Sequence, residues 1–146
     1  MLEVRLLGKF EVQLNGEPVE IPSRPAQSLL SYLILKAGVA HRRERLAGLL
    51  WPDSDETSAR TNLRHALWRL RKAIGDEYFI SDKVTVSFTP SSDYQLDVDI
   101  LKDQPGEGGT SDDLIRIISI YEGDLLPGFY DEWVNLEREG LRAVFE

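Results

Sequence analysis

The chain has 146 residues, 42% of them hydrophobic, no cysteine, and a formal net charge of -8 at pH 7 with a pI near 4.8. That length suits one domain, or one small domain and part of another; the missing cysteines exclude disulfides and thiolate chemistry and fit a reducing compartment. The longest apolar stretch, around Leu29 to Leu35, is broken by Ser31 and Tyr32, and MLEVRLLG lacks the layout of a signal peptide, so a soluble cytoplasmic protein away from membranes is expected.

The chain opens with short strands. LEVRLLG and FEVQLNG alternate apolar and polar residues, Asn15-Gly16 is a strong hairpin signal, and EPVEIP resumes the alternation, which predicts a small antiparallel sheet. In SRPAQSLLSYLILKAG, Ser23 can cap a first helix, Pro25 suits its first turn and Gly38 its end. HRRERLAGLLW, His41 to Trp51, places Leu46, Leu49 and Leu50 on one side and stops at Pro52, predicting a second, short helix. PDSDET then supplies a turn and a cap, Ser54 or Asp55, for a third helix over 58–74.

After Gly75 the period changes to that of strands. YFIS and KVTVSF predict a β-hairpin over 78–88, and YQLDVD a further β-rich run. KDQPGEGGTSD, residues 102–112, is a polar Gly-rich break; beyond it Leu114 to Glu122 and Glu132 to Phe145 have helical spacing, joined by GDLLPGFYD. The last helix carries no stop signal, so the chain is expected to continue within a larger protein. The predicted class is α+β: a winged helix-turn-helix with an N-terminal antiparallel sheet and a C-terminal hairpin wing, followed by an α-helical segment.

Charge is unevenly distributed. Residues 1–21 hold two basic and four acidic side chains, residues 22–75 ten and four, and residues 76–146 five and seventeen. The basic middle contains the third helix, where at about 100° per residue Leu63, Leu67, Leu70 and Ile74 form one stripe with Ala59 and Ala66 at its margin. The opposite arc carries Thr61, Arg64, His65, Trp68, Arg71 and Lys72, with no acid between Ser58 and Gly75. Donors and an aromatic ring on the outer face of a helix pinned by its other face suit a DNA major groove.

The run LLWPDSDETSARTNLRHALWRLRKAIG, the hairpin after it, DYQLDVD and YEGDLLPGFYDEWVNLEREGLR together resemble the SARP-type bacterial transcriptional activators. These join an OmpR-type winged helix to a helical bacterial transcriptional activator domain similar to tetratricopeptide (TPR) repeats. The resemblance implies a DNA-binding domain over 1–96 and the beginning of the helical domain over 97–146. It implies that helix 58–74 enters the major groove and hairpin 78–88 approaches the minor groove. Promoter DNA, typically direct repeats, RNA polymerase, and self-association through the helical domain are the implied partners; with only the start of that domain present, self-association is expected to be weakened.

Arg64, Arg71 and Lys72 lie where a cation can grip guanine or phosphate, a base-reading pair being worth about 1–3 kcal/mol of discrimination; the bland alternative is a solvated helix face. Arg69 lies on the flank but matches a basic OmpR-type position. Thr61 and His65 are small polar groups toward the half that goes deepest into a groove. Trp68 meets a thymine methyl, lies along the sugar-phosphate edge, or packs on the hairpin or helical domain. Arg42 and Arg43 open the second helix, whose N-terminus favours phosphate, and Arg24 could act similarly before the first; Arg45 points elsewhere. Trp51 matches a tryptophan of the OmpR-type inter-helix turn and mainly packs, with one face free for the DNA backbone. Lys83 sits in the hairpin.

Phe129, Tyr130 and Trp133 read as packing anchors. Asp97 and Asp99 lack the rest of a calcium loop and read as capping or junction residues. No cofactor or metal is expected. An enzyme is disfavoured: two histidines, no cysteine, and in GEGGTSDD no phosphate-loop lysine. The rival function is a winged-helix protein-interaction module without specific DNA binding.

Overall fold

The computed structural model describes residues 1–102 and 125–145, an α+β chain in two compact units, one of residues 1–16 with those from 94 onward, the other of residues 17–93. In chain order the elements are β1 (Leu2–Arg5), β2 (Glu11–Leu14), β3 (Glu17–Pro18), α1 (Arg24–Leu35), β4 (His41–Arg42), α2 (Arg43–Leu50) and α3 (Glu56–Ile74). A single 3-10 turn, Asp76–Tyr78, leads to β5 (Phe79–Ser81), β6 (Thr85–Phe88), β7 (Tyr94–Leu96) and α4 (Asp97–Lys102). The helix at Glu132–Phe145 is α5.

In the first unit β1 is flanked by β2, antiparallel with Leu2 opposite Leu14, and by β7, parallel with Leu2 opposite Tyr94. The turn after β2 uses positive φ at both Asn15 (54°) and Gly16 (84°), the backbone that the Asn-Gly pair supplies at least strain. Leu2, Val4 and Val12 are buried, as period-two strands require. The antiparallel β1–β2 pairing is the one the sequence predicts, and the parallel addition of β7 is not foreseen by it. Beyond β7, Asp97 opens α4 where the sequence predicted continued strand; its carboxylate accepts from the backbone amides of Leu6 (3.1 Å), Leu7 (3.0 Å) and Val98 (2.8 Å), in keeping with the capping alternative its position offered. β7 belongs to this unit as a strand of β1's sheet.

Within the same unit Phe129 and Trp133 are buried anchors, but Tyr130 is 89% exposed, so the side chain expected to pack there does not. Arg138 of α5 reaches back to the turn before the helix, donating to the carbonyls of Leu125 (2.7 Å), Leu126 and Phe129 (3.0 Å). The expected helix over 114–122 and the polar break after Lys102 lie outside the described residues.

The second unit is three helices and a three-stranded sheet of order β4-β6-β5. Ser23 caps α1, its hydroxyl accepting from the Ala26 amide at 3.2 Å, and Pro25 occupies the first turn, both as the sequence predicts. Leu29, Leu30, Leu33 and Ile34 of α1 face inward with Leu46 and Ala47 of α2. His41 and Arg42 do not begin α2 but form β4, pairing with Val86 and Thr85 of β6. Two ladder positions beside a completed hairpin satisfy more backbone groups than an uncapped extra half-turn of helix. Gly38, at φ 89°, donates its amide to the Phe88 carbonyl (2.9 Å), joining the end of α1 to the base of the hairpin.

Candidate nucleic-acid interface

Helix α3 forms because both ends are stopped and one face is apolar. Asp55 caps it, its carboxylate accepting from the Ser58 amide at 2.7 Å, and those hydrogen bonds hold its pKa below the ordinary carboxylate range. Glu56 lies in the first turn, Arg71 and Lys72 in the last, both matched to the helix dipole, and Gly75 ends it at φ 100°. Ala59, Leu63, Ala66, Leu67, Leu70 and Ile74 are buried, the stripe that periodicity predicts. Each fully buried leucine or isoleucine contributes roughly 1.5–3 kcal/mol, which fixes the helix's rotation and so its outer face.

That outer face presents Arg64, His65, Trp68, Arg69 and Lys72, all exposed. Trp68 is 59% exposed and so is not a packing residue within its unit; Lys72 stands over its ring, 4.7 Å from the centroid. The cation–π contact, about 0.5–1 kcal/mol at an exposed site, keeps a flat apolar surface and a charge together. Thr61 is half-buried and its hydroxyl donates to the Thr57 carbonyl, so it is less free than its place on the helical wheel predicts.

Beside α3 stands the β5–β6 hairpin, Phe79 opposite Phe88 and Ser81 opposite Val86. Asp82 shapes its turn, accepting from the amides of Val84 and Thr85, both at 2.7 Å, which again lowers the carboxyl pKa. Lys83 is thereby held exposed at the tip. An open cleft of about 630 Å³ runs between the hairpin tip, the start of α2 and the N-terminal half of α3. Its walls carry Arg42, Arg43, Arg60, Arg64 and Lys83 against Glu44 and Asp82, a surplus of positive charge in a chain of net charge -8.

The cleft gathers four residues to which the sequence points: Arg42, Arg43, Arg64 and Lys83. They are not equally free. Arg43 donates from Nε to the Asp82 carbonyl (2.8 Å), and its amide donates to the Val84 carbonyl (2.8 Å). Arg71, expected on the exposed arc, is half-buried: its Nη2 donates to the Ser81 hydroxyl and its Nε lies 3.7 Å from the Asp76 carboxylate. Arg24, at the start of α1, is exposed but does not line the cleft; Trp51 is half-buried at the end of α2, beside a smaller hollow with Ala47 and Pro52. Arg60 is not among the residues expected from sequence, yet it lines the cleft, paired with Glu56 (2.7 Å) and lying 3.6 Å from Glu44. Its spacing of four from Arg64 is the signal that places it on the same edge of the helix.

His41 of β4 is buried with its ring 5.0 Å from that of Tyr32, and among the described residues its Nε2 has no hydrogen-bond partner. Burial, with the charges of Lys36 and Arg45, holds its pKa below the ordinary imidazole value. Among the described residues no helix is long and apolar enough to cross a membrane.

These features define a mixed α+β protein with a basic cleft set between a helix and a β-hairpin. A solved structure shares the fold: that of Mycobacterium tuberculosis EmbR in complex with a low-affinity phosphopeptide superposes with a TM-score of 0.83, at 16% sequence identity, over 98% of this chain. The chain spans 42% of the length of that EmbR chain. No family model matches the sequence, and no curated protein sequence matches it.

Proposed function

We propose that this chain is a sequence-specific DNA-binding transcription regulator of the SARP type, acting as an activator in the cytoplasm. In this reading α3 is the recognition helix of a winged helix-turn-helix and lies in the major groove, and the β5–β6 hairpin is the wing near the minor groove. The residues from Asp97 onward begin a TPR-like helical domain. The observation that carries the reading is the outer face of α3: Arg64, His65, Trp68, Arg69 and Lys72 are all exposed on a helix whose other face is anchored in the core. The fold shared with EmbR supports it.

Arg64, which lines the cleft with Arg42 and Lys83, is the cation of α3 set against a phosphate, and Arg69 is the base-reading candidate, with Lys72 and Trp68 against the sugar-phosphate edge. Arg42 and Lys83, on the two walls of the cleft, contact phosphates. Promoter direct repeats and RNA polymerase are the expected partners, with self-association through the helical domain; no catalytic step is part of the reading.

Binding to duplex DNA at several salt concentrations tests it, wild type beside an Arg64→Ala plus Arg69→Ala variant. The affinity should fall steeply with salt, and the double variant should bind more weakly with a shallower slope, by roughly 0.9 for each phosphate no longer neutralised. If DNA is ignored even at low salt, the exposed face of α3 serves a protein partner instead.

A further inference from the structure

Within the unit of residues 17–93, one guanidinium on the same edge of α3 as Arg64 is turned away from solvent. At about 100° per residue, Arg60, Arg64 and Arg71 fall within roughly 40° of one another, so sequence alone gives all three the same outlook. Their surroundings differ. Arg64 is exposed, whereas the Arg71 side chain keeps only 32% of its accessible surface and its Nε is buried. On the Nε–Nη2 edge, Nη2 donates to the Ser81 hydroxyl, while Nε is buried, makes no hydrogen bond among the described residues and lies 3.7 Å from the Asp76 carboxylate. A bidentate grip on a guanine or a phosphate needs such an edge free.

Ser81 is the last residue of β5, paired with Val86, which in turn pairs with His41 of β4. A bond to Ser81 therefore holds a full row of the three-stranded sheet, one residue before the turn that carries Lys83. From the other side Arg43 holds the next carbonyl, that of Asp82. The hairpin tip is tied to α3 through Arg71 and to α2 through Arg43, and Arg43, Ser81 and Asp82 of these ties line the cleft.

We propose that Arg71 and Ser81 form a positioning pair that fixes the hairpin against α3 and so sets the spacing between helix and wing, instead of contacting nucleic acid. The proposal rests on the DNA reading above and assigns Arg71 a different part in it. Removing the pair leaves the DNA-contacting cations in place but lets the hairpin swing, so affinity falls because the surface is less preorganised, while every phosphate keeps its cation.

The test compares the 146-residue wild type with Arg71→Gln, Ser81→Ala, the double variant, and Arg64→Gln as a control for direct DNA contact. Amide hydrogen exchange of Ile80 to Ser87, measured without DNA, should accelerate roughly ten-fold or more in Arg71→Gln, the factor associated with a charge-assisted hydrogen bond, and also in the milder Ser81→Ala. Duplex DNA binding should weaken in both, with the double variant no worse than Arg71→Gln alone, and with the salt slope of wild type retained. Arg64→Gln should leave exchange unchanged and lower the slope by roughly 0.9. If hairpin exchange is unchanged in Arg71→Gln and Ser81→Ala, or if Arg71→Gln lowers the slope as Arg64→Gln does while Ser81→Ala binds like wild type, the positioning role is overturned. If wild type itself shows no salt-dependent binding, it is the DNA reading that fails, and the exchange data stand apart from it.

Discussion

Phe88 anchors the hairpin, and replacing it with alanine measures how firmly. Its side chain is fully buried in β6, with ring centroids 6.1 Å from Tyr78 and 6.0 Å, edge-on, from Phe79. Truncation removes about 150 Å² of apolar surface from the interior, which at roughly 25 cal/mol per Å² is about 4 kcal/mol. The range for such truncations, about 3–5 kcal/mol with a partly collapsed cavity, agrees. Against a total domain stability of about 5–15 kcal/mol, the variant should remain folded but marginal. Followed by tryptophan fluorescence in urea, the midpoint should drop by about 2 M if the slope is about 2 kcal/mol/M. Ile80, 60% exposed in the neighbouring strand, is the control, and Ile80→Ala should stay within about 0.5 kcal/mol of wild type. A midpoint shift under about 0.5 M for Phe88→Ala at unchanged slope would refute a packed aromatic anchor under the hairpin.

Two glycines should respond oppositely to alanine. Gly75 sits at φ 100°, ψ 167°, a backbone nearly exclusive to glycine, so Gly75→Ala should cost about 1–3 kcal/mol although a Cβ would meet nothing within 4 Å; Gly48, inside α2 with equally open space, should gain roughly 0.5–1 kcal/mol, both read from thermal unfolding. His41 makes stability pH-dependent: its folded pKa lies below its ordinary value, so stability is fully present above about 6.5, falls as the unfolded chain takes up a proton near that value, and levels off below the folded pKa. Comparing urea midpoints across that window in wild type and His41→Gln checks this, and an unchanged pH dependence in the variant would count against it. Arg138→Met should destabilise by roughly 1.5–3 kcal/mol by leaving three carbonyls short of a charged donor, measured by chemical unfolding.

What a short stretch of chain decides alone is legible in the sequence. The stripe of Leu63, Leu67, Leu70 and Ile74, the caps at Ser23 and Asp55 and the Asn15-Gly16 turn depend on neighbours within a few residues, and each is found where the sequence predicts it. The exposed cations Arg64 and Lys72 follow from the same periodicity, which leaves Arg69, also exposed, on the flank. Pairings between distant segments are not legible. The parallel alignment of β1 with β7 joins residues some ninety positions apart, and period-two alternation is the same for either strand direction. His41 and Arg42 become a strand only because β6, more than forty residues later, offers them a ladder.

Arg71 shows the division most clearly. Its sequence position fixes the angle at which it leaves α3, and there it is indistinguishable from Arg64. Whether its guanidinium ends in solvent or on a hydroxyl depends on where β5 places Ser81, and that placement is made by tertiary packing. Helical periodicity and capping are properties of the covalent chain, so the helices, their buried faces and the basic character of the middle third are already set in the order of residues. Hydrogen bonds and ion pairs depend on distances of a few ångströms between segments far apart in the chain, so it is the folded arrangement that separates the cations free to meet a ligand from those that hold the protein together.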